Sequence, residues 1–281
     1  MIVRSAVPSD KPLLASLLYY EAAIHRHLDW RPQLDWIGQS PFGVIEANGV
    51  IQAALACPAD PPEINWIRLF AVSASISRQI AWQELWRFTL ESLPKAQNLI
   101  TIGAIPLHRW FLSLLEASGF EQHNEVVVLI WKVSQPQEKL NHTFFTIRTM
   151  NEQDLPLVTG VDHLAFRTPW QLSERGLEAG FDQAAIAMVA ENETGIIGYQ
   201  MSTVMNDTAH LARLAVLPQY QNQGVGTALV LALQDYCVRR RLRSLTVNTQ
   251  SDNLASLHLY SRLGFQPTGE KYPLLLYERQ P

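Results

Sequence analysis

The sequence repeats itself once, at a spacing of 144 to 145 positions, and this repeat restricts the chain to folds that can be built twice. The matched positions are Arg4 with Arg148, Asp10 with Asp154, Pro12 with Pro156, Leu69–Val72 with Arg213–Val216, and Gly119-Phe120 with Gly264-Phe265. Chance supplies one such match, whereas several in the same order and register indicate a duplication. Because the period has the size of a domain, the repeat predicts two like domains in tandem rather than a solenoid.

The predicted boundary lies near the middle of the chain. A length of 281 residues suits two domains. The stretch Ser134–Lys139 is polar, contains a proline and lacks apolar periodicity, so we interpret residues 134–143 as a linker. The sequence therefore predicts a first domain over residues 1–133 and a second over residues 144–281. Together they form an internal pseudo-dimer, which is compatible with a monomeric protein.

Both halves show the same order of apolar patterns. A short strand leads into a helix with Asp and Pro in its first turn, and runs rich in β-branched residues then predict strands. An amphipathic helix, a strand, a helix that ends in Gly-Phe and a final strand complete each half. The predicted segments are Phe42–Leu55, Ile64–Val72, Ala81–Leu93, Leu99–Ile105 and Val126–Val133, then Met188–Met205, Ala209–Val216, Val225–Arg241, Ser244–Thr249 and Pro273–Glu278. This order predicts an α/β (α+β) fold in which each domain has a mixed, mostly antiparallel sheet flanked by helices.

Composition and charge exclude several classes of protein. Hydrophobic residues make up 47% of the chain and charged residues 17%, which is enough apolar surface for two cores. The net charge is −4, and each half carries 11 basic and 13 acidic side chains, so neither half has the basic excess of a nucleic-acid-binding protein. There is no apolar run long enough for a membrane span and no signal-peptide core at the N-terminus. With only two cysteines, Cys57 and Cys237, the chain is expected to be cytoplasmic.

A strand, a glycine-containing turn and a helix follow one another from Leu211 to Val230. The first turn of such a helix has backbone N–H groups without partners and a partial positive charge, which suits a pyrophosphate. Gly224 and Gly226 leave room for phosphates to approach the backbone. Taken alone, this pattern is more typical of a strand-to-helix connection that binds nothing, because a Gly-x-Gly sequence is weak evidence.

A second motif makes the pyrophosphate interpretation specific. Asn253 to Phe265 predicts a short helix with a polar N-cap and a glycine stop. With these two motifs, residues 144–281 resemble the GNAT superfamily of acetyl-CoA-dependent N-acetyltransferases. The family pattern Gln/Arg-x-x-Gly-x-Gly/Ala is matched by Gln221, Gly224 and Gly226, and the pattern Asn-x-x-Ala/Ser-x-x-Leu-Tyr-x-x-x-Gly-Phe is matched by Asn253, Ser256, Leu259, Tyr260, Gly264 and Phe265.

The resemblance implies a fold, a cosubstrate and a binding site. Two central parallel strands would separate into a V, with acetyl-CoA in the cleft and no metal required. The implied cofactor-binding residues are Leu214, Ala215, Val216, Gln221, Asn222, Gln223, Gly224, Val225, Gly226, Thr227, Asn253, Ser256 and Tyr260. The amides of Gln223–Thr227 would hold the pyrophosphate, and the backbone of Leu214–Val216 would pair with the pantetheine arm.

The implied reaction is direct attack of a primary amine of a small molecule or peptide on the thioester. Tyr260 is the candidate general acid for the departing thiolate. His210 is the candidate base, although a locally hydrogen-bonded histidine on the sheet is an equally good interpretation, and a water relay to Asp207 is a further alternative. Phe166, Arg167 and Trp170 are expected to line the acceptor site, with Arg167 suited to a carboxylate. A different class of function also remains open, an acyl-CoA-binding sensor without turnover.

The first half is expected to be degenerate. At an offset of 144, Ile80 stands opposite Gly224 and Trp82 opposite Gly226, so bulky side chains replace both glycines. At an offset of 145, Leu115 stands opposite Tyr260 and His108 opposite Asn253, so the acid and the polar cap are both absent. The sequence thus predicts one catalytic domain, the second.

Overall fold

The computed structural model describes residues 1–20, 23–94, 99–133 and 144–279, and it divides into two compact units. The first unit consists of Met1–His123 and Tyr272–Pro281, and the second of Asn124–Lys271. Both units combine mostly antiparallel sheets with helices, which confirms the predicted fold class. The predicted linker, residues 134–143, lies outside the described residues.

The first unit builds a five-stranded antiparallel sheet in the order β1-β3-β4-β6-β2. Its elements are β1 (Ile2–Ser5), α1 (Lys11–Tyr20), β2 (Ala23–Arg26), β3 (Phe42–Ala47), β4 (Val50–Ala56), β5 (Asn65–Trp66), β6 (Leu69–Val72), α2 (Arg78–Ser92), β7 (Ile100–Ala104) and α3 (Arg109–Glu116). Strand β5 pairs with β7 in parallel. The core on one face of these strands is aromatic, with Phe70, Trp82, Trp86 and Phe111 in mutual contact.

The second unit contains β9 (Thr146–Thr149), α4 (Leu155–Ala165), α5 (Glu174–Gln183), β10 (Ile186–Asn192), β11 (Gly195–Met205), β12 (Thr208–Val216), α6 (Val225–Arg239), β13 (Ser244–Gln250) and α7 (Leu254–Arg262). Its strands run in the order β9-β10-β11-β12-β13, all antiparallel except the parallel pair of β12 and β13. Helices α6 and α7 cover one face, where Leu211, Leu233 and Val247 are buried. Helix α4 covers the other face beside Tyr199 and Ala215.

The repeat seen in the sequence corresponds to one structural device that is built in both units. Arg4 donates to Asp10 at 2.7 and 2.8 Å and to Glu46 at 2.7 and 2.9 Å. In the second unit, Arg148 donates to Asp154 at 2.6 and 2.9 Å and to Glu191 at 2.8 Å. Each aspartate sits at the turn before the first helix and lies against its arginine, which ties that turn to the first strand. The shared pattern of bonds supports a duplication.

The last strand of each half pairs differently from the prediction. Strand β8 (Glu121–Lys132) runs from the first unit into the second, where its residues from Val126 to Lys132 pair with β13. Strand β14 (Gln266–Arg279) begins in the second unit and ends in the first, where its residues from Leu275 to Arg279 pair with β7. Each of these two strands therefore pairs with a strand from the other half of the sequence. The predicted boundaries 1–133 and 144–281 do not coincide with the compact units, because two strands with the same apolar pattern do not themselves specify their partners.

Among the described residues, no helix is both long and apolar enough to cross a membrane.

The exchanged strands predict how fragments of the chain behave. A fragment of residues 124–271 is expected to unfold cooperatively with urea, whereas a fragment of residues 144–281 is not. The second fragment lacks the part of β8 that pairs with β13 and that places Leu129 and Trp131 in the core. Losing one buried tryptophan alone costs about 3–5 kcal/mol, a large part of the roughly 5–15 kcal/mol that stabilises a domain.

Circular dichroism during urea titration distinguishes these outcomes. If the fragment of residues 144–281 unfolds as cooperatively as the fragment of residues 124–271, the strand exchange is not needed for folding and our division of the chain is incorrect.

Candidate functional site

The two parallel strands at the centre of the second unit separate along their length. Strands β12 and β13 pair from Thr208 to Leu211 and no further, although β12 continues to Val216. An irregularity at Met201 and Ser202 of β11 leaves Ala212 of β12 without an opposite residue, and such a bulge bends a strand. The result is an open backbone edge from Ala212 to Val216, as the V-shaped split predicted.

Backbone geometry fixes which groups of β12 face this open edge. The N–H of Leu217 donates to Ile197 of β11 at 2.9 Å. The N–H and C=O of one residue point to the same edge of a strand, and successive residues alternate between the two edges. Since Leu217 points to β11, the N–H and C=O groups of Leu214 and Val216 point away from it. The carbonyl of Val216 accepts a hydrogen bond from Gln221 Nε2 at 3.1 Å. Two of the three predicted pantetheine-binding residues thus present their polar backbone groups to the open edge.

The loop that follows β12 presents a row of unbonded amides. Within the described residues, the N–H groups from Asn222 to Thr227 donate to no backbone carbonyl, and the first α6 bond runs from Ala228 N to Gly224 O at 2.9 Å. Asn222 and Gly224 have φ values of 59° and 86°, so the chain turns through the left-handed region twice. Backbone N–H groups in such a turn, next to a helix N-terminus, form a concave site for an anion.

Gly224 and Gly226 differ in backbone conformation and in what surrounds the Cβ direction. At Gly224 the φ of 86° disfavours any other residue, and the direction of a Cβ is open. At Gly226 a Cβ would lie 3.5 Å from Leu259 Cδ2 and 3.8 Å from Val216 Cγ2. These are ordinary van der Waals distances, so the packing against α7 and β12 does not itself require a glycine at position 226.

Helix α7 begins at its predicted cap. The side chain of Asn253 accepts from Ser256 N at 3.1 Å and donates to Gln250 Oε1 at 3.2 Å. Gly264 ends the helix with a φ of 84°. The structure gives Asn253 and Ser256 a capping role, and their predicted contact with a cofactor stays a prediction.

Tyr260 lies in the core between α7 and the sheet. It is 4% exposed, and its ring centroid lies 5.4 Å from that of Phe265. No hydrogen bond to its hydroxyl is found in the described part of the chain. Burial raises the pKa of the Tyr260 phenol above its ordinary value, because the charged form would lose hydration. The phenol therefore keeps its proton over the physiological range, and the raised pKa makes it a weaker acid than an exposed tyrosine.

His210 lies on β12 where the strands still pair. Its Nδ1 is 2.9 Å from Thr246 Oγ1, and that hydroxyl donates to Ala209 O at 3.3 Å. Since the hydroxyl has one proton, this chain of bonds assigns the imidazole proton to Nδ1 and leaves a lone pair on Nε2. Burial lowers the pKa of His210 below 6.5, so the ring is neutral at pH 7. The alternative base, Asp207, is ion-paired with Arg243 at 2.8 Å.

A buried ion pair organises the predicted acceptor region. Asp162 of α4 is fully buried and accepts from Arg213 at 2.7 and 2.9 Å, from Tyr199 at 2.5 Å and from Leu172 N at 3.1 Å. Four hydrogen bonds satisfy the carboxylate, as a buried charge requires. This ion pair was not predicted from the sequence. Its signal was a charged residue at a core position in each of two apolar segments, α4 and β12.

The three predicted acceptor residues have different surroundings. Arg213 Cζ lies 3.6 Å from the ring centroid of Phe166, and Arg213 Nη2 donates to Trp170 O at 2.7 Å. These contacts hold the segment between α4 and α5 against the sheet. Arg167 is exposed, and no ion pair to it is found among the described residues. Arg167 is thus the member of the three whose charge is available to a ligand.

The corresponding edge of the first unit is occupied by the chain itself. Strand β2 pairs with β6 from Ala23 opposite Val72 to Arg26 opposite Leu69. Since Leu69–Val72 stands opposite Arg213–Val216 in the repeat, β2 takes the edge that β12 leaves open. An extended ligand has no access to hydrogen bonds there.

The loop and the second helix of the first unit also differ. Helix α2 begins at Arg78, so the residues opposite Asn222–Gly224 form a helical turn, and the Ile80 N–H bonds to Ser77 Oγ at 3.4 Å. Trp82 and Leu115 are buried in the core. His108 makes no side-chain cap at the start of α3.

Residues 156–265 match the family model described as Acetyltransferase (GNAT) family. The chain is 29% identical over 120 residues to the ribosomal protein bS18-alanine N-acetyltransferase of Escherichia coli (strain K12), covering 43% of this chain and 80% of the relative. It is 30% identical over 130 residues to the mycothiol acetyltransferase of Rhodococcus opacus (strain B4), covering 41% of this chain and 43% of the relative. A tandem GNAT protein from the clavulanic acid biosynthesis pathway is similar in fold, with a TM-score of 0.62 and 14% identity over 100% of this chain and 99% of that one.

Gly224→Glu tests the anion site directly. The new carboxylate stands at the row of amides, where it repels the pyrophosphate of acetyl-CoA, so we expect the affinity measured by calorimetry to fall at least tenfold, about 1.4 kcal/mol or more. Gly269→Glu is the matched control, because Gly269 also has a positive φ, 90°, and open space around its Cβ direction. Equal losses in the two variants, or none in Gly224→Glu, would contradict the site.

Proposed function

This chain belongs to the GNAT superfamily of acetyl-CoA-dependent acyltransferases, and from that membership we propose that its second unit moves an acetyl group from acetyl-CoA to a primary amine of a small molecule or peptide. The observation that carries the proposal is the row of unbonded amides from Asn222 to Thr227, which follows directly on the open edge of β12. A long ligand with a pyrophosphate at one end and amide groups along its arm fits this sequence of donors and acceptors.

In the proposed binding mode each part of acetyl-CoA meets a different feature. The amides of Gln223–Thr227 hold the pyrophosphate, and α6 adds the positive end of its dipole. The amide groups of the pantetheine arm pair with Leu214 and Val216, as an added strand would. Gln221 Nε2, which bonds to the Val216 carbonyl at 3.1 Å, yields that acceptor to the arm. The thioester then lies near the point where β12 and β13 separate.

The proposed reaction is a direct attack in a ternary complex. The amine nitrogen bonds to the acetyl carbon, the carbon–sulfur bond breaks, and CoA leaves as a thiolate that must receive a proton. Tyr260 is the proposed donor of that proton, because its phenol is protonated at neutral pH and it occupies the tyrosine position of the family pattern. His210 accepts the proton that the amine loses, through the free Nε2 that its bond with Thr246 leaves.

Two observations support the proposed acceptor class, the names of the relatives and one exposed side chain. Similar proteins are described as acetylating the alanine of a ribosomal protein or mycothiol, so the proposal includes both peptide and small-molecule amines. Exposed Arg167 suits a carboxylate or other anion on the acceptor. Phe166 and Trp170 contact Arg213, and in the proposal these contacts hold the segment that carries Arg167 in position.

The first unit is proposed not to bind acetyl-CoA. Strand β2 covers the edge that pantetheine would need, and the helical turn at Arg78–Ile80 replaces the amide row. Titration of the full chain is therefore expected to give one acetyl-CoA per chain, and Gly224→Glu is expected to remove that site. A second site that survives Gly224→Glu would show that the first unit binds the cosubstrate in another way.

The proposed activity is tested by the release of CoA thiol from acetyl-CoA with a panel of primary amines and of peptides with free N-termini. With an acceptor found in this way, Tyr260→Phe is expected to reduce kcat about 100- to 10,000-fold, because it removes a general acid while keeping the ring. The affinity for acetyl-CoA is expected to change little.

Tyr236→Phe provides the matched control, since Tyr236 lies on α6 and is not placed in the reaction. An unchanged kcat in Tyr260→Phe would mean that another group protonates the thiolate. If acetyl-CoA binds with one site and no amine or peptide yields thiol, the sensor without turnover becomes the better interpretation.

A further inference from the structure

Strand β13 carries a row of polar side chains on the face of the sheet that holds His210. Leu245 and Val247 are buried in the core beneath α6 and α7, so the residues that alternate with them point to the opposite face. The side chain of His210 bonds to Thr246 at 2.9 Å and therefore lies on that opposite face too. The half-buried residues of the row are Ser244, Thr246, Asn248 and Gln250.

Asn248 lies at the point where the two central strands separate. The last pair between β12 and β13 is Leu211 opposite Val247, so Asn248 is the first residue of β13 beyond that pair. Its pairing on the other side continues, because Asn248 lies opposite Val128 of β8 in a register that is regular from 244 to 250. The side chain is therefore carried to the opening of the V by a strand that stays in the sheet.

Asn248 and His210 are close enough to contact one small group. Thr246 is the residue of β13 opposite His210, and Asn248 is two positions further along the same face. A strand spacing of about 4.8 Å and a rise of about 3.3 Å per residue place the two Cα atoms about 8 Å apart. A nitrogen atom between the two side chains is then within hydrogen-bonding distance of both.

The other members of the row already bond to protein side chains, whereas Asn248 makes no side-chain hydrogen bond within the described residues. Asn248 can thus bond to a ligand without giving up a bond in the protein. The partners of the other three are Thr208 at 2.9 Å for Ser244, His210 at 2.9 Å for Thr246 and Asn253 at 3.2 Å for Gln250.

A primary amine needs two hydrogen-bond acceptors while it attacks the thioester. Its lone pair points to the carbonyl carbon, and its two N–H groups lose water and need new partners. Nε2 of His210 is one acceptor in the proposed reaction, and Oδ1 of Asn248 is available on the same face. Both acceptors are uncharged. A carboxylate in the place of Asn248 would favour the ammonium form of the amine, whose lone pair is taken by a proton.

We propose that Asn248 binds the acceptor, with its Oδ1 accepting one N–H of the attacking primary amine while Nε2 of His210 accepts the other. Asn248 then determines specificity, because a secondary amine has a single N–H and forms only one of the two bonds. This assignment rests on the transfer reaction proposed above and adds to it the residue that selects a primary amine.

The test compares two acceptors that differ by one methyl group, the best primary amine from the thiol-release panel and its N-methyl derivative. The full-length wild-type protein is expected to have the higher kcat/KM with the primary amine. In Asn248→Ala, kcat/KM for the primary amine is expected to fall about fivefold or more, since one hydrogen bond is lost. The ratio of kcat/KM between the two amines is expected to fall by about the same factor. The affinity for acetyl-CoA, measured by calorimetry, is expected to stay the same.

Two further variants separate the role of Oδ1 from a structural role. Asn248→Asp keeps an oxygen acceptor and removes the amide N–H donors, so it is expected to keep the preference for the primary amine. Ser244→Ala is the matched control, because Ser244 lies on the same face of the same strand, four positions or about 13 Å from Asn248. Its ratio between the two amines is expected to equal that of the wild type.

Three results would overturn the assignment while the transfer reaction stands, because thiol is still released in each. The first needs no variant: the wild type uses the N-methyl derivative as well as the primary amine. The second is an unchanged ratio in Asn248→Ala, and the third is an Asn248→Asp variant that loses the preference as Asn248→Ala does. If no amine releases thiol at all, the transfer reaction and this assignment fail together.

Discussion

The separation of β12 from β13 after Leu211 is the constraint on which the rest of the second unit depends. Two parallel strands normally keep all their backbone groups bonded, so a separation inside a sheet exposes groups that need another partner. The extra residue Ala212 makes a bulge in β12 beside Met201 and Ser202 of β11, and the bent strand then leads into the loop before α6. Unbonded strand groups and unbonded loop amides therefore follow one another along a single stretch of backbone, from Leu214 to Thr227. Since these are backbone groups, their position depends on the path of the chain and only indirectly on side chains.

The first unit shows how little must change for such a groove to disappear. The ion pairs that Arg4 makes with Asp10 and Glu46 match the ion pairs that Arg148 makes with Asp154 and Glu191 in the second unit. Yet β2 runs beside β6 and takes the bonds of the exposed edge, and α2 gains a turn at its start. Both changes satisfy backbone groups within the chain. They lower the energy of the empty protein, and they remove the unmet hydrogen bonds that a ligand would use.

Each unit also largely buries an arginine, Arg213 within β12 in the second unit and Arg68 immediately before β6 in the first. In the second unit Arg213 and Asp162 satisfy one another completely, with Tyr199 and Leu172 supplying the remaining bonds. In the first unit Arg68 Nη1 meets Asp29 Oδ2 at 3.0 Å, and Arg68 Nε has no hydrogen-bond partner in the described part of the chain. Breaking a buried ion pair by removing one partner costs about 3–5 kcal/mol. The complete pair in the second unit is thus suited to holding the segment between α4 and α5 in place.

Much of this architecture could be predicted from local sequence. The repeat at 144 positions identified two like units, the glycine and asparagine positions identified the loop at Gly224 and the cap at Asn253, and apolar periodicity identified the fold class. These features depend on contacts within a few residues, such as a positive φ or a capping hydrogen bond, which a short sequence specifies. Three others were decided by the tertiary structure alone. Strands β8 and β14 carry similar patterns, so the sheets they complete were not encoded locally, and the boundaries at residues 133 and 144 missed the exchange. The pairing of β2 with β6 and the meeting of Asp162 with Arg213, 51 positions apart, likewise depend on which surfaces the folded chain brings together.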